Sequence, residues 1–302
     1  MTPTAKQRSL PVFQAILAAA LYAAASPFSK LLLAQSPPAM TAAFLYLGAG
    51  AGMLLVGGVR KCRGKDPGEA PLTRQDLPYT IAMILLDIAA PVLLMFGLTA
   101  TTAANASLLN NFEIVATSLI ALLIFGEKIS RRLWLAIGLI TLSCLFLSIE
   151  EKGSLQFSSG SLLVLLACVC WGFENNCTRR ISGKDPLQIV VVKGFGSGTG
   201  ALLIALFSRE SFPKAPVMGA ILLLGFVSYG LSIFFYVHAQ RGLGAAKTSA
   251  YYAVAPFIGV ALSFLIFRDI PGIGFFAGLI FMAAGAWLAS AGESQPPDVS
   301  AE

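Results

Sequence analysis

Apolar runs of roughly twenty residues, each closed by a short polar stretch, recur along the whole chain. Twenty helical residues at about 1.5 Å each cross the ~30 Å hydrocarbon core of a bilayer. Lipid offers the backbone no hydrogen-bond partners, so each run is predicted to be a helix. The polar flanks place ten spans, at 11–34, 38–58, 77–99, 105–125, 133–149, 161–181, 187–207, 217–240, 248–267 and 272–291. A mean hydropathy of +0.77, with 56% hydrophobic and 12% charged residues, fits a polytopic membrane protein and excludes an ordinary soluble globule.

Charge then sets the orientation. Fifteen Lys and Arg, among them Lys6, Arg8, Arg60, Lys61, Arg131, Arg132, Arg179 and Arg180, fall on the side of the N-terminus. Lys152, Arg209, Lys214 and Arg268 fall on the other. The positive-inside rule predicts a multi-pass protein of the cell inner (plasma) membrane with both termini, including the 292–302 tail, cytoplasmic. The net charge of +6 follows from this topology and gives no sign of nucleic-acid binding. Lys6, Arg8 and Ala23-Ala24-Ala25 resemble a secretory signal, but the apolar run is too long for one. The five cysteines are odd in number and mostly within spans, so neither a disulfide nor a zinc site is expected.

The halves of the chain match each other. Ser107 to Ile129 lies over Ser249 to Ile270, setting Leu123-Ile124-Phe125 on Leu265-Ile266-Phe267 and Glu127 on Asp269. Tyr22 likewise answers Trp171, Ser26 answers Asn175, Ser29 answers Thr178 and Lys30 answers Arg179. The expected units are 11–149 and 161–291, each a five-helix copy. Five crossings are odd, so the second copy runs through the membrane inverted. The predicted fold is an all-α membrane protein, ten transmembrane helices as two inverted five-helix repeats around a central cavity.

These residues carry a resemblance. The aromatic, small, polar, basic series from Trp171-Gly172 to Arg179 and the span ending Leu123-Ile124-Phe125-Gly126-Glu127 are similar to the EamA type of the drug/metabolite transporter superfamily. Departures are Tyr22-Ala23 in place of Trp-Gly, Ile114 opposite Pro256, and Phe267-Arg268-Asp269 in place of a Phe-Gly-Glu ending. The resemblance implies an exporter, and within that group it favours amino acids, with a broad or aromatic-leaning range.

Candidate site residues come from polar positions that lipid should not tolerate. In the sixth span Trp171, Glu174, Asn175 and Thr178 share one helical face, and Tyr22 and Ser26 occupy the matching stripe of the first. An ionised carboxylate at mid-membrane costs roughly 2.5–3.5 kcal/mol, so Glu174 requires water, a cation or a proton beside it. Asn110, Asn111 and Glu113 repeat the argument in the fourth span, and Asp87, with Pro91 one turn on, in the third. Pro27 and Pro256 are expected to interrupt the first and ninth. Tyr229, Ser232, Tyr236 and Gln240 share a face of the eighth. Lys193 is expected to snorkel to the surface, and His238 faces away from the Tyr229 stripe. Gly194, Gly196, Gly198 and Gly200 read as two overlapping GxxxG packing motifs.

No Ser-His pairing on shared faces, no HExxH and no second Asp beside Asp87 support an enzyme. Rings of like charge, which a channel would need, are missing. The reading is a secondary transporter working by alternating access on small amphipathic metabolites, amino acids foremost. A multidrug cation exporter of the same fold is the alternative, with a channel behind it. Its partners are a small-molecule substrate and the lipid bilayer; no cofactor or metal is implied, and the chain is read as a monomer.

Overall fold

The structure is a computed structural model that describes residues 5–63, 68–126, 129–148, 158–181, 183–243, 251–269 and 271–291. Ser249, Glu127, Lys65, Lys128, Lys152, Lys247 and the 292–302 tail lie outside these, as does the side chain of Gln240. The described residues are helical, with no strands. The helices are α1 (Ala5–Ala23), α2 (Ala25–Leu32), α3 (Pro38–Cys62), α4 (Leu77–Ala100), α5 (Ala103–Leu109), α6 (Phe112–Phe125) and α7 (Arg131–Ser148). They continue as α8 (Ser159–Arg180), α9 (Pro186–Phe207), α10 (Ala215–Gly225), α11 (Ser232–Leu243), α12 (Ala255–Phe267) and α13 (Ile273–Ala291).

Eight spans are long and apolar enough to cross a membrane, from Leu10–Leu32 to Ala215–Tyr236. Two shorter apolar helices, Ala255–Phe267 and Ile273–Ala289, stand where the ninth and tenth spans are expected. In the ninth, helical Tyr251–Tyr252 meet a turn at Ala253–Val254 before α12 begins, and residues 248–250 lie outside the described residues. Leu123 and Leu265, matched between the halves, are 78% and 74% exposed, as lipid-facing leucines should be.

Breaks fall near the expected places, and their causes differ. Pro27 has no N–H for the Ala23 carbonyl, and the first span is interrupted at Ala24. Pro256 sits in the first turn of α12, where a proline fits a helix start. Pro91, by contrast, leaves α4 unbroken. The fourth span is interrupted at Asn110–Asn111 without a proline. The eighth widens into a π-turn over Phe226–Leu231, a distortion common at functional sites.

Packing joins the halves. Divided as the sequence repeat divides the chain, α3 packs on its counterpart α9, and α7 on its counterpart α13. The α4–α8 contact exchanges with that of α11 and the Phe226–Leu231 turn on α1. A Cβ on Gly194 would lie 2.4 Å from the Gly50 nitrogen, so glycine there is what lets α3 and α9 approach. Gly198 meets Leu47 of α3, while Gly196 and Gly200 meet Ile84 and Ile88 of α4. The two GxxxG motifs thus serve two faces of one helix.

Helix ends are interlocked across the halves too. Ala39 and Met40 donate their N–H groups to the Glu210 carboxylate at 3.2 and 2.7 Å, a negative charge at the positive end of α3. At α9 the corresponding hold is made by the 68–72 segment: Leu72 N–H donates to Gln188 at 2.8 Å and Asp185 N–H to the Ala70 carbonyl at 2.9 Å. Gly126 and Arg268, matched in the repeat, both end their helices left-handed, at φ 70° and 55°.

Candidate functional site: a buried ion cluster between the halves

Three helices converge on one lysine. Lys193 of α9 places Nζ 2.9 Å from Asp87 Oδ2 of α4 and 3.1 Å from Glu174 Oε1 of α8. The three side chains are 13%, 0% and 3% exposed, so the group is withdrawn from solvent. The expectation that Lys193 snorkels to the surface is therefore corrected. The α3–α9 crossing at Gly50 and Gly194 brings the backbone beside Lys193 into the centre, and two carboxylates there stabilise its ammonium better than a long reach to water.

Neighbours fix both carboxylates. The Tyr46 hydroxyl donates to Asp87 Oδ1 at 3.1 Å, and Trp171 Nε1–H donates to the Tyr46 oxygen at 3.5 Å. The Thr178 hydroxyl, one turn along α8, donates to Glu174. Beside this group Asn175 donates its amide to Glu113 Oε1 at 2.6 Å, linking α8 to α6. Asn176 is occupied structurally, donating to the Gly172 and Thr117 carbonyls at 2.8 and 3.1 Å.

Five of the seven tyrosines form a chain of rings beside the cluster. Tyr236 meets Tyr252 at 4.9 Å, Tyr252 meets Tyr22 at 5.7 Å, Tyr22 meets Tyr229 at 6.0 Å and Tyr229 meets Tyr46 at 5.3 Å. Tyr79 and Tyr251 are exposed instead. The Tyr229 hydroxyl and Asn111 Nδ2 are buried without a partner among the described residues, which leaves each free to meet a ligand. Ser232 is tied to the Ala18 carbonyl at 3.0 Å and to the Tyr252 hydroxyl at 3.3 Å.

Of the residues selected from sequence, Asp87 and Glu174 meet on Lys193, Trp171 and Tyr229 join them through Tyr46, and Tyr22 joins through Tyr229, with Asn175 paired to Glu113. Ser26 and Asn110 form a separate pair at 3.4 Å. Ser232 and Tyr236 meet Tyr252, while Asn111 Nδ2 makes no hydrogen bond among the described residues. His238 Nδ1 bonds to the Phe234 carbonyl of its own helix at 3.0 Å. Tyr46 was missed, although a tyrosine near mid-span, away from the interfacial belt, was an available signal.

Open space is arranged differently from the expected central cavity. The void lined by Tyr22, Ser26, Ser107, Asn110 and Gly259 is only about 10 Å³, room for one water. A cavity of about 710 Å³ opens one turn further along α5 and α12, lined by Lys30, Asn105, Ser263, Phe264 and Asp269. It lies at the end of the bundle distal to the N-terminus, where the Lys30 ammonium caps the end of α4 on the Leu98 and Thr101 carbonyls. Neither space is lined by Asp87, Glu174 or Lys193. Among the described residues no group of three His, Cys, Asp or Glu side chains is placed to hold a metal.

A buried charged group beside a chain of rings, enclosed by helices of both halves, suits the binding of a small molecule. Comparison with known proteins gives the family. An uncharacterized transporter of Methanothermobacter thermautotrophicus is 27% identical over 270 residues, covering 84% of this chain and 78% of its own. The uncharacterized transporter YyaM of Bacillus subtilis is 23% identical over 251 residues, covering 79% and 80%. A solved crystal structure, 16% identical, superposes with a TM-score of 0.67 over 94% of this chain and 97% of its own, and so shares the fold. The EamA-like transporter family matches twice, over residues 9–149 and 158–291, and the chain belongs to that family.

Proposed function

We propose that the protein exports small amphipathic amines, amino acids foremost, by alternating access around the Asp87–Lys193–Glu174 cluster. The observation that carries this reading is the charge of that cluster. One ammonium faces two carboxylates, a net charge of −1 when all three are ionised, and Glu113 adds another carboxylate nearby. Such a site repels anions and attracts an ammonium group, while the tyrosine chain and Trp171 offer faces to an apolar side chain. Because Lys193 already fills the space between Asp87 and Glu174, an incoming ammonium either displaces it or settles at Glu113.

The architecture that goes with this function is ten spans in two inverted five-helix copies, 11–149 and 161–291, with both termini cytoplasmic in the inner membrane. Exchange of the α4–α8 contact with that of α11 and the Phe226–Leu231 turn on α1, and the paired left-handed ends at Gly126 and Arg268, support the repeat. The excess of basic residues on the N-terminal side supports the orientation. With that orientation the 710 Å³ cavity faces outward.

Uptake of labelled phenylalanine and leucine into inside-out vesicles tests the reading. Transport above that of vesicles lacking the protein, and reduced by Glu174→Gln, is the expected result. Transport of a lipophilic cation such as tetraphenylphosphonium without amino-acid transport would favour the multidrug alternative, which the rings and negative charge also suit.

A further inference from the structure

Three interrupted spans meet at one point. α1 ends at Ala23, α5 ends at Leu109, and α12 begins at Ala255 after the turn at Ala253–Val254. The void of about 10 Å³ lies at this junction, lined by Ala23 and Ser26 from the first span, Ser107 from the fourth and Gly259 from the ninth.

Oxygen atoms face it. Pro27 brings no N–H to the Ala23 carbonyl, and the Ser107 hydroxyl is buried without a hydrogen-bond partner among the described residues. Ser26 and Ser107 are each 3% exposed. A Cβ on Gly259 would lie 2.8 Å from Ser107 Oγ and 3.2 Å from the Ala23 oxygen, so glycine there leaves both oxygens turned toward the same small space. In the repeat the position matching Gly259 is Thr117, whose hydroxyl accepts from the Asn175 amide at 3.4 Å. The two halves thus differ here, a side chain standing in one where the other leaves room.

Charge decides what suits the junction. No charged side chain lines the void. α1 and α5 turn their carbonyl ends toward it, and α12, which presents the opposite end, has Pro256 in its first turn and so one N–H fewer. Tyr22, also in the lining, is joined through Tyr229 and Tyr46 to the Asp87–Lys193–Glu174 cluster, which holds more negative than positive groups.

We infer that this junction is a binding site for a sodium ion, held by the Ala23 carbonyl and the Ser26 and Ser107 hydroxyls and pinning the three breaks together. Carbonyls released where membrane helices are interrupted are a recurring means of coordinating sodium. Oxygen ligands suit a hard cation. Room for one water admits sodium in its place, whereas the larger potassium ion does not fit. The negative excess of the neighbouring cluster favours an ion over a neutral water. The site is separate from that cluster and does not depend on which substrate is carried.

The test needs no substrate and takes the purified full-length protein in detergent. Melting is compared in sodium, potassium and choline chloride at equal concentration. Sodium alone should raise the midpoint, by roughly 5–11 °C once it stands ~100-fold above its Kd. Binding of radioactive sodium should saturate. Ser107→Ala removes an unpartnered hydroxyl and should fold, yet lose both the shift and the bound sodium; Ser26→Ala should weaken both. Equal melting in the three salts would overturn the site and leave the void to a water. A shift that potassium matches, or one that Ser107→Ala keeps in full, would overturn it as well.

Discussion

Replacing Lys193 with Met keeps the length of the side chain and removes its charge, leaving Asp87 and Glu174 facing each other with no ammonium between them. Asp87 is 0% and Glu174 3% exposed at the side chain, so water cannot take over the role of the lysine. Removing one partner of a buried pair costs about 3–5 kcal/mol, because a charge is left uncompensated. At ~2–4 °C per kcal/mol for a chain of this size, the melting temperature should fall by roughly 6–20 °C. Melting in detergent followed by size-exclusion of the surviving fraction measures this. Lys193→Arg, which keeps a cation, should fall less. Asp87→Asn in the Lys193→Met background should recover part of the loss, because Glu174 then no longer faces the Asp87 charge and keeps the Thr178 hydroxyl. Residues in such contact couple by about 0.5–3 kcal/mol in a double-mutant cycle. A Lys193→Met protein that melts with the wild type, or a double variant no better than the single one, would refute the ion cluster as drawn.

Other outcomes follow from the same geometry. Glu174→Gln keeps the shape of the side chain and its bond with Thr178, so the protein should fold and its transport should fall; unchanged flux would remove Glu174 from the site. Trp171→Ala loses a stacking face worth about 0.5–1.5 kcal/mol, so substrate Kd should rise about two- to twelve-fold by equilibrium binding. Gly194→Val would push methyl groups into Gly50 and the Tyr46 carbonyl, and the protein should fail to accumulate in the membrane. Cys62 is the exposed cysteine, at the end of α3, and a membrane-impermeant maleimide should reach it only from the cytoplasmic face; labelling from outside would reverse the topology.

The eight long spans were legible because lipid imposes one simple requirement, an unbroken apolar length, and they begin and end within a few residues of the predicted limits. The carboxylates were legible for a related reason: Asp87 and Glu174 stand out against apolar surroundings whatever the tertiary structure. Lys193 was not, because its distance from the end of α9 suits either snorkelling or burial, and the choice depends on a partner 106 residues away in sequence that the packing of α4 on α9 brings near. Proline gave incomplete notice of the breaks. Pro91 is absorbed within α4, while Asn110–Asn111 and the π-turn at Phe226–Leu231 distort their helices with no proline at all. Those distortions are properties of packing, and Gly225, pressed against the Leu45 carbonyl beside the π-turn, belongs to a contact between the halves.

The pairing of Asp87 with Lys193 also constrains how the protein is made. Asp87 belongs to the third span and Lys193 to the seventh, so the ribosome delivers the acid first and its counter-charge 106 residues later. At ~5–20 residues per second, the delay is roughly five to twenty seconds. Through that interval a carboxyl group sits in lipid or in the insertion machinery with no ammonium to face. Tyr46, made just before it and bonded to it at 3.1 Å in the finished protein, is the group on hand to hold it. The first half of the chain is thus an unfinished object until the second arrives, and the ion cluster at the centre closes late in assembly, joining the halves as it forms.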